Sequence, residues 1–203
     1  MSNLITLAEA KAHLDIPDAE TSEDDVLNRL IAEASAAIES YIDRKVIKQT
    51  YTEYQDGRNS NRILLRHYPA DKPTEVRIDY QSEFTDADTL LETDEYEVDQ
   101  VGNELLLLHR IWPKGVRNIK VVYEAGLAVD IASVPSDISG ACLWVTEWFY
   151  ELRKNRRLLN KSVGKNNETT RYRDDWPEWL HRQLDKYKRG PFDFIANMPV
   201  LNR

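Results

Sequence analysis

The chain has 203 residues, 41% of them hydrophobic, and a net charge of −8. That suits one domain of ordinary size, or one domain with an insertion, and is too apolar for a disordered chain. No run approaches the roughly 18–20 apolar residues of a membrane helix, and Met1-Ser2-Asn3 lacks the basic-then-apolar opening of a secretory signal.

Thr6 stands three residues before Glu9, the capping-box spacing, so a helix is expected to begin there. Leu7, Ala10, Lys11 and Leu14 continue it at helical spacing, and Ile16-Pro17-Asp18 ends it. Ser22-Glu23-Asp24-Asp25 opens a second helix, with acids at its positive end. Leu27, Leu30, Ile31, Ala34, Ile38, Tyr41 and Ile42 recur every three or four residues and share one face.

From Val46 to Gly126 the apolar period becomes two. Strands are expected at Val46–Tyr54, Arg62–Leu65, Glu75–Tyr80, Tyr96–Asp99, Glu104–Leu108 and Asn118–Tyr123. Turn chemistry falls at 56–61, and Gly102-Asn103 joins a hairpin.

Helix returns at Val134-Pro135-Ser136-Asp137, with proline in the first turn. Ile138, Ala141, Cys142, Val145, Trp148, Phe149 and Leu152 form its stripe, and Leu143 and Trp144 make it apolar nearly all round. Such a helix belongs to a core or between subunits. Residues 160–174 are polar and irregular. Asp175 and Glu178 are expected to cap a last helix carrying Trp176, Trp179, Leu180, Leu184 and Tyr187, stopped by Gly190-Pro191. The tail, 191–203, is apolar but too short to build its own core.

The chemistry-bearing residues are scattered. His13, His67, His109 and His181 form no HxxxH pair, and no metal site is expected. Cys142, the only cysteine, excludes an internal disulfide and fits a reducing compartment. It lies on an apolar stripe, where a thiol packs rather than reacts. Asp86-Ala87-Asp88 sits in an acidic, turn-like stretch and reads as a solvated loop. The GxSxG, GxxxxGK[ST] and GxGxxG patterns are all missing, so no catalytic residue and no cofactor is assigned.

Charge is uneven. Residues 1–104 hold 24 acidic and 10 basic residues, and residues 105–203 hold 11 and 17. Chains with opposite ends can pair head to tail, although such asymmetry also serves solubility alone. Arg153 to Arg173 contains eight Lys/Arg and one acid, Glu168. That segment can dock on an acidic surface, touch a DNA backbone, or simply be a solvated linker.

The order of these pieces resembles the head–tail connector (adaptor) proteins of tailed bacteriophages. Three segments carry the resemblance. The first is Leu7-x-x-Ala10-Lys11-x-x-Leu14 with the acid cluster and long helix after it. The second is Val122-Tyr123-Glu124-Ala125-Gly126 followed by Val134-Pro135-x-x-Ile138. The third is Ser162-Val163-Gly164 followed by the Trp176-Pro177 helix. The resemblance implies an α+β fold, a small helical bundle with a β-rich insertion between the second and third long helices. Residues 1–45 and 134–190 would form the bundle, 46–126 the insertion and 191–203 a tail. It further implies a non-enzymatic virion protein, assembled in the host cytoplasm, with no cofactor and no membrane partner. Such proteins form a ring, usually dodecameric, beneath the portal. The ring extends the DNA channel, helps retain packaged DNA without sequence-specific binding, and offers a platform to the next connector or tail protein. Portal or subunit contact would fall on Arg153, Arg156, Arg157, Phe192, Phe194, Ile195 and Leu201. Three other readings stay open: another head-closure or tail-completion protein of the same broad class, a small nucleic-acid-binding regulator using residues 153–173, and an enzyme whose site is assembled from residues distant in sequence.

Overall fold

The computed structural model describes residues 2–99, 103–154 and 176–188. The fold is α+β, and the described residues fall into two compact units. One lies within Met1–Asp43 and Asp130–Lys188, and the other is Arg44–Val129.

The first unit is helical. Helix α1 (Leu7–His13) starts on the expected capping box: the Thr6 hydroxyl accepts the Glu9 N–H, and the Glu9 carboxylate accepts the Thr6 N–H. Helix α2 (Asp24–Ile42) buries Leu27, Leu30, Ile31, Ala34, Ile38 and Ile42, its expected stripe except Tyr41, which is half-buried. Each leucine or isoleucine among them contributes roughly 1.5–3 kcal/mol on leaving water. Asp43, in the left-handed conformation, closes it. Helix α3 (Ser136–Lys154) packs along α2 and buries Ile138, Ala141, Cys142, Val145, Thr146 and Tyr150. Helix α4 (Glu178–Asp185) buries Leu180 and Leu184. Pro177 stands at its N-cap with no side-chain bond to the helix, and Asp175 lies outside the described residues.

Lys11 lies on the apolar stripe of α1 and is 4% exposed. Its ammonium meets the Asp24 carboxylate at 2.5 Å and donates to the carbonyls of Glu20 (2.7 Å) and Asp18 (3.3 Å). One buried cation thus ties the α1–α2 loop to the start of α2. Lys11→Met keeps the stem and strands Asp24, whose side chain is only 26% exposed. Breaking a fully buried pair costs about 3–5 kcal/mol, and water reaches part of this one, so a loss of about 2 kcal/mol is expected. Urea unfolding of the variant checks it; an unchanged midpoint would remove this role from Lys11.

The second unit contains strands β1 (Gln49–Gly57), β2 (Arg62–Leu64), β3 (Glu75–Ile78), β4 (Tyr96–Asp99), β5 (Glu104–Leu107) and β6 (Gly115–Ala125). They form two antiparallel three-stranded sheets, ordered β1-β6-β3 and β2-β5-β4. Their common core contains Trp112, Tyr96, Tyr123, Leu65, Leu105 and Leu107. β1 begins later than the expected Val46. Gly126, at φ +151°, interrupts the ladder, and Val46 instead accepts from the N–H groups of Leu127 and Ala128. β1 also runs on into the expected turn, to Gly57. There the buried Asn118 side chain accepts the Gly57 N–H at 2.8 Å and donates to the Pro113 carbonyl at 2.9 Å.

The β1–β6 core also holds a polar knot. Glu53, 7% exposed, accepts the Tyr123 hydroxyl, the Arg66 N–H at 3.1 Å and the Gln55 amide at 2.8 Å. Burial, then the Glu53 carboxylate, pushes the Tyr123 hydroxyl far above its ordinary pKa. The His67 N–H donates to Tyr123, and the His67 ring stacks on Tyr51 at 3.6 Å. With its partners supplied, the buried carboxylate is a fixed part of the core.

Candidate assembly surfaces

Among the described residues, no three His, Cys, Asp or Glu side chains converge as metal ligands. No helix among them is long and apolar enough to cross a membrane. Cys142 is fully buried, 3.6 Å from the Ser35 hydroxyl, and burial raises its thiol to about 11. At neutral pH it stays protonated and unreactive. His13 bonds Glu147 at 3.0 Å, and His181 packs on Tyr41 and Trp176. Asp88 lies in a short 3-10 turn, Ala87–Thr89, exposed on the surface.

The surfaces are more informative than any pocket. At the end of α3, Arg153 contacts Glu23 at 3.2 Å, and the Tyr150 hydroxyl donates to the same carboxylate. The Tyr150 hydroxyl, then Arg153, hold Glu23 below the ordinary carboxylate pKa. Lys154 lies over the Tyr150 ring at 4.1 Å. The start of the basic segment is therefore already engaged with α2. Arg153 keeps 39% of its side chain in solvent. Arg156, Arg157, Phe192, Phe194, Ile195 and Leu201 lie outside the described residues, as does most of the 153–173 segment.

A second surface is aromatic. Trp144 and Trp148 lie nearly parallel on α3 at 6.3 Å, and Trp179 of α4 meets Trp144 edge-on at 5.7 Å. Trp179 is 49% exposed, so the aromatic stripe of α4 is only partly core. The neighbouring stripe residues explain the difference. Leu180 and Leu184 are fully buried where α4 packs near α2 and α3, whereas Trp179 stays half in solvent.

A third surface is acidic. From Asp79 to Asp99 the chain has nine acids and no lysine or arginine. Sequence reasoning singled out only Asp86 and Asp88 here, although a simple charge window reveals the whole run. Asp79 is structural: its carboxylate accepts the N–H groups of Gln81, Glu83 and Phe84 at 2.7–3.0 Å. Those bonds hold it below its usual pKa. Glu95 pairs with Arg110 at 2.6 Å.

A sequence profile described as "Head completion protein" matches residues 3–190, almost the whole chain. The chain belongs to the head completion protein family. The likeness to head–tail connectors carried by Leu7–Leu14, Val122–Gly126 and the Trp176-Pro177 helix thereby holds at the family level. No curated protein sequence matches this head completion protein. Its fold is similar to solved chains from gene transfer agent (GTA) particles. One is from the neck of an empty particle computed with C6 symmetry, with a TM-score of 0.63 and 17% identity. That match covers 92% of this chain and 90% of the other. Another is from the neck of the native particle computed with C12 symmetry, with a TM-score of 0.61 and 16% identity over 91% and 88% of the two chains. A third is from the virion of the native particle, with a TM-score of 0.62 and 17% identity over 92% and 90%. At such identity the likeness shows the fold alone.

Proposed function

We propose that this protein is a structural head–tail connector that assembles as a ring, of twelve copies in the virion, beneath the portal. Its partners are the portal, further copies of itself, and the next connector or tail protein. It has no enzymatic role and needs no cofactor. In this reading, residues 46–126 are an insertion in a helical bundle formed by 1–45 and 134–190. The observation that carries the reading is the family match over residues 3–190. The fold likeness to chains from GTA necks, one computed with C12 symmetry, supports a ring at the head–tail junction.

The charge pattern suits the role. A ring of identical subunits needs heterologous contacts, and unlike charge on the two halves of the chain favours them. The acidic run from Asp79 to Asp99 repels phosphate, so DNA could pass such a wall without being gripped. Arg153 and Lys154, held by Glu23 and Tyr150, fit a docking corner better than a free phosphate clamp. The protein would be made in the host cytoplasm and end at the head–tail interface of the virion.

Deleting the gene in its phage or prophage tests the proposal by electron microscopy of the lysate. DNA-losing heads beside free, complete tails are expected. Normal infectious particles would sink it and return attention to nucleic-acid binding by residues 153–173.

A further inference from the structure

Two loops of the sheet unit carry a charge that the acidic first half of the sequence conceals. Residues 57–62 and 108–117 hold Arg58, Arg62, Arg110, Lys114 and Arg117, and no acid. Hydrogen bonds join the loops into one tip. The Asn59 N–H donates to the Trp112 carbonyl at 3.0 Å, and the Trp112 N–H donates to the Ser60 carbonyl at 2.8 Å. The Asn59 side chain accepts the Lys114 N–H at 3.1 Å, and the Asp56 carboxylate accepts the Arg117 N–H at 2.7 Å. A tip fixed in this way loses little freedom on docking.

Two of its cations are paired within the unit, Arg62 with Glu104 at 2.8 Å and Arg110 with Glu95 at 2.6 Å. Arg58 and Lys114 are exposed and have no ion pair among the described residues. Ile111 and Val116 stand among them, 51% and 78% exposed. Residues 155–175 and 189–203 hold eight cations against four acids, so they are net positive and do not answer the tip.

The complementary charge is on the same unit. Glu83, Asp86, Asp88, Glu92, Asp94 and Glu97 of the acidic run are exposed and have no ion pair among the described residues. Within one copy both surfaces therefore face solvent. A ring of identical subunits needs two such unlike surfaces, each filled by the other on the next copy. The exposed Ile111 and Val116 favour a protein partner, because a phosphate backbone offers apolar side chains nothing.

We infer that the cationic tip of one copy docks on the acidic run, 83–97, of its neighbour, so that sheet unit meets sheet unit around the ring. The inference rests on the ring reading above. The six exposed acids outnumber the two free cations, so the docked run stays negative and still repels phosphate.

Charge swaps in the full chain test it. One variant reverses the tip, Arg58→Glu with Lys114→Glu, and another reverses the run, Asp86→Lys with Asp88→Lys. All four residues are exposed, and circular dichroism checks that each variant folds. Phage lacking the gene is complemented with each. Like charges facing across an interface are costly, so either swap alone should lower infectious titre about 100-fold. Both swaps in one chain should restore it to within about tenfold of wild type. Full titre from either single swap, or no gain from combining them, would overturn the contact. So would salt-dependent binding of duplex DNA by the wild-type protein that the tip swap alone abolishes, which would give the tip to DNA. If a variant unfolds, carbodiimide treatment of wild-type particles decides. Lys114 should be joined to a carboxylate of 83–97 in the covalent dimer and not in the monomer; a dimer without that link overturns the contact. Copies per wild-type particle separate the two ideas. Many copies with neutral swaps sink the contact and spare the ring, whereas one copy or none sinks both.

Discussion

Replacing Gly57 with alanine should strongly destabilise the sheet unit. A Cβ at this position would stand 1.7 Å from the Pro113 carbonyl oxygen and 3.2 Å from the Asn118 amide nitrogen. The obstacle is backbone, so no rotamer change relieves it. The Pro113 carbonyl is also fixed by its bond from Asn118, and Asn118 in turn holds the Gly57 N–H. Separating the strands here breaks both bonds of a buried amide, which then lacks partners. Overpacking alone costs about 1–3 kcal/mol, and with the lost bonds the expected loss is about 3 kcal/mol or more, a large part of a domain's stability. Urea unfolding followed by circular dichroism measures it. Gly140→Ala provides the contrast, because nothing lies within 4 Å of its added Cβ. Within helix α3 that change should stabilise by about 0.5–1 kcal/mol. Equal effects of the two substitutions would show that the close approach at Gly57 does not govern stability.

Truncation after Gly190 should abolish docking on the portal and leave the fold intact. The removed segment, 191–203, contains Phe192, Phe194, Ile195, Met198, Val200 and Leu201 in thirteen residues. Apolar side chains at that density gain stability by burial. The family match ends at residue 190, so the truncation leaves the common family part whole. Co-sedimentation with isolated portal rings reads the docking, and far-UV circular dichroism reads the fold. Portal binding at wild-type affinity would eliminate the tail as the docking element. Loss of helix and sheet signal would show that the tail belongs to the folded core instead.

Local patterns were the legible part of this chain. Thr6 and Glu9 announce α1 because a capping box needs only four residues. The α2 stripe from Leu27 to Ile42 and the strand pair around Asn103 are visible because each element repeats its own period. The order of these elements was enough to suggest the head–tail connector family, now shown at the family level. Lys11 was a signal open to sharper reading: a lysine on an apolar stripe needs a buried anion, and the acid cluster at the start of α2 supplies it.

The amino-acid sequence by itself thus determined the succession of helices and strands, the buried stripes and the uneven charge, since each depends on neighbours within a few residues. Tertiary structure alone decided which distant partners meet. Gly57 finds Asn118 across 61 positions, and Tyr123 finds Glu53 across 70. It also decided that Trp179 stays half-exposed while Leu180 is fully buried. Such pairings have no period and no local signature. They are selected by the free energy of satisfying buried polar groups and filling a shared core, which exists only once the chain has closed on itself.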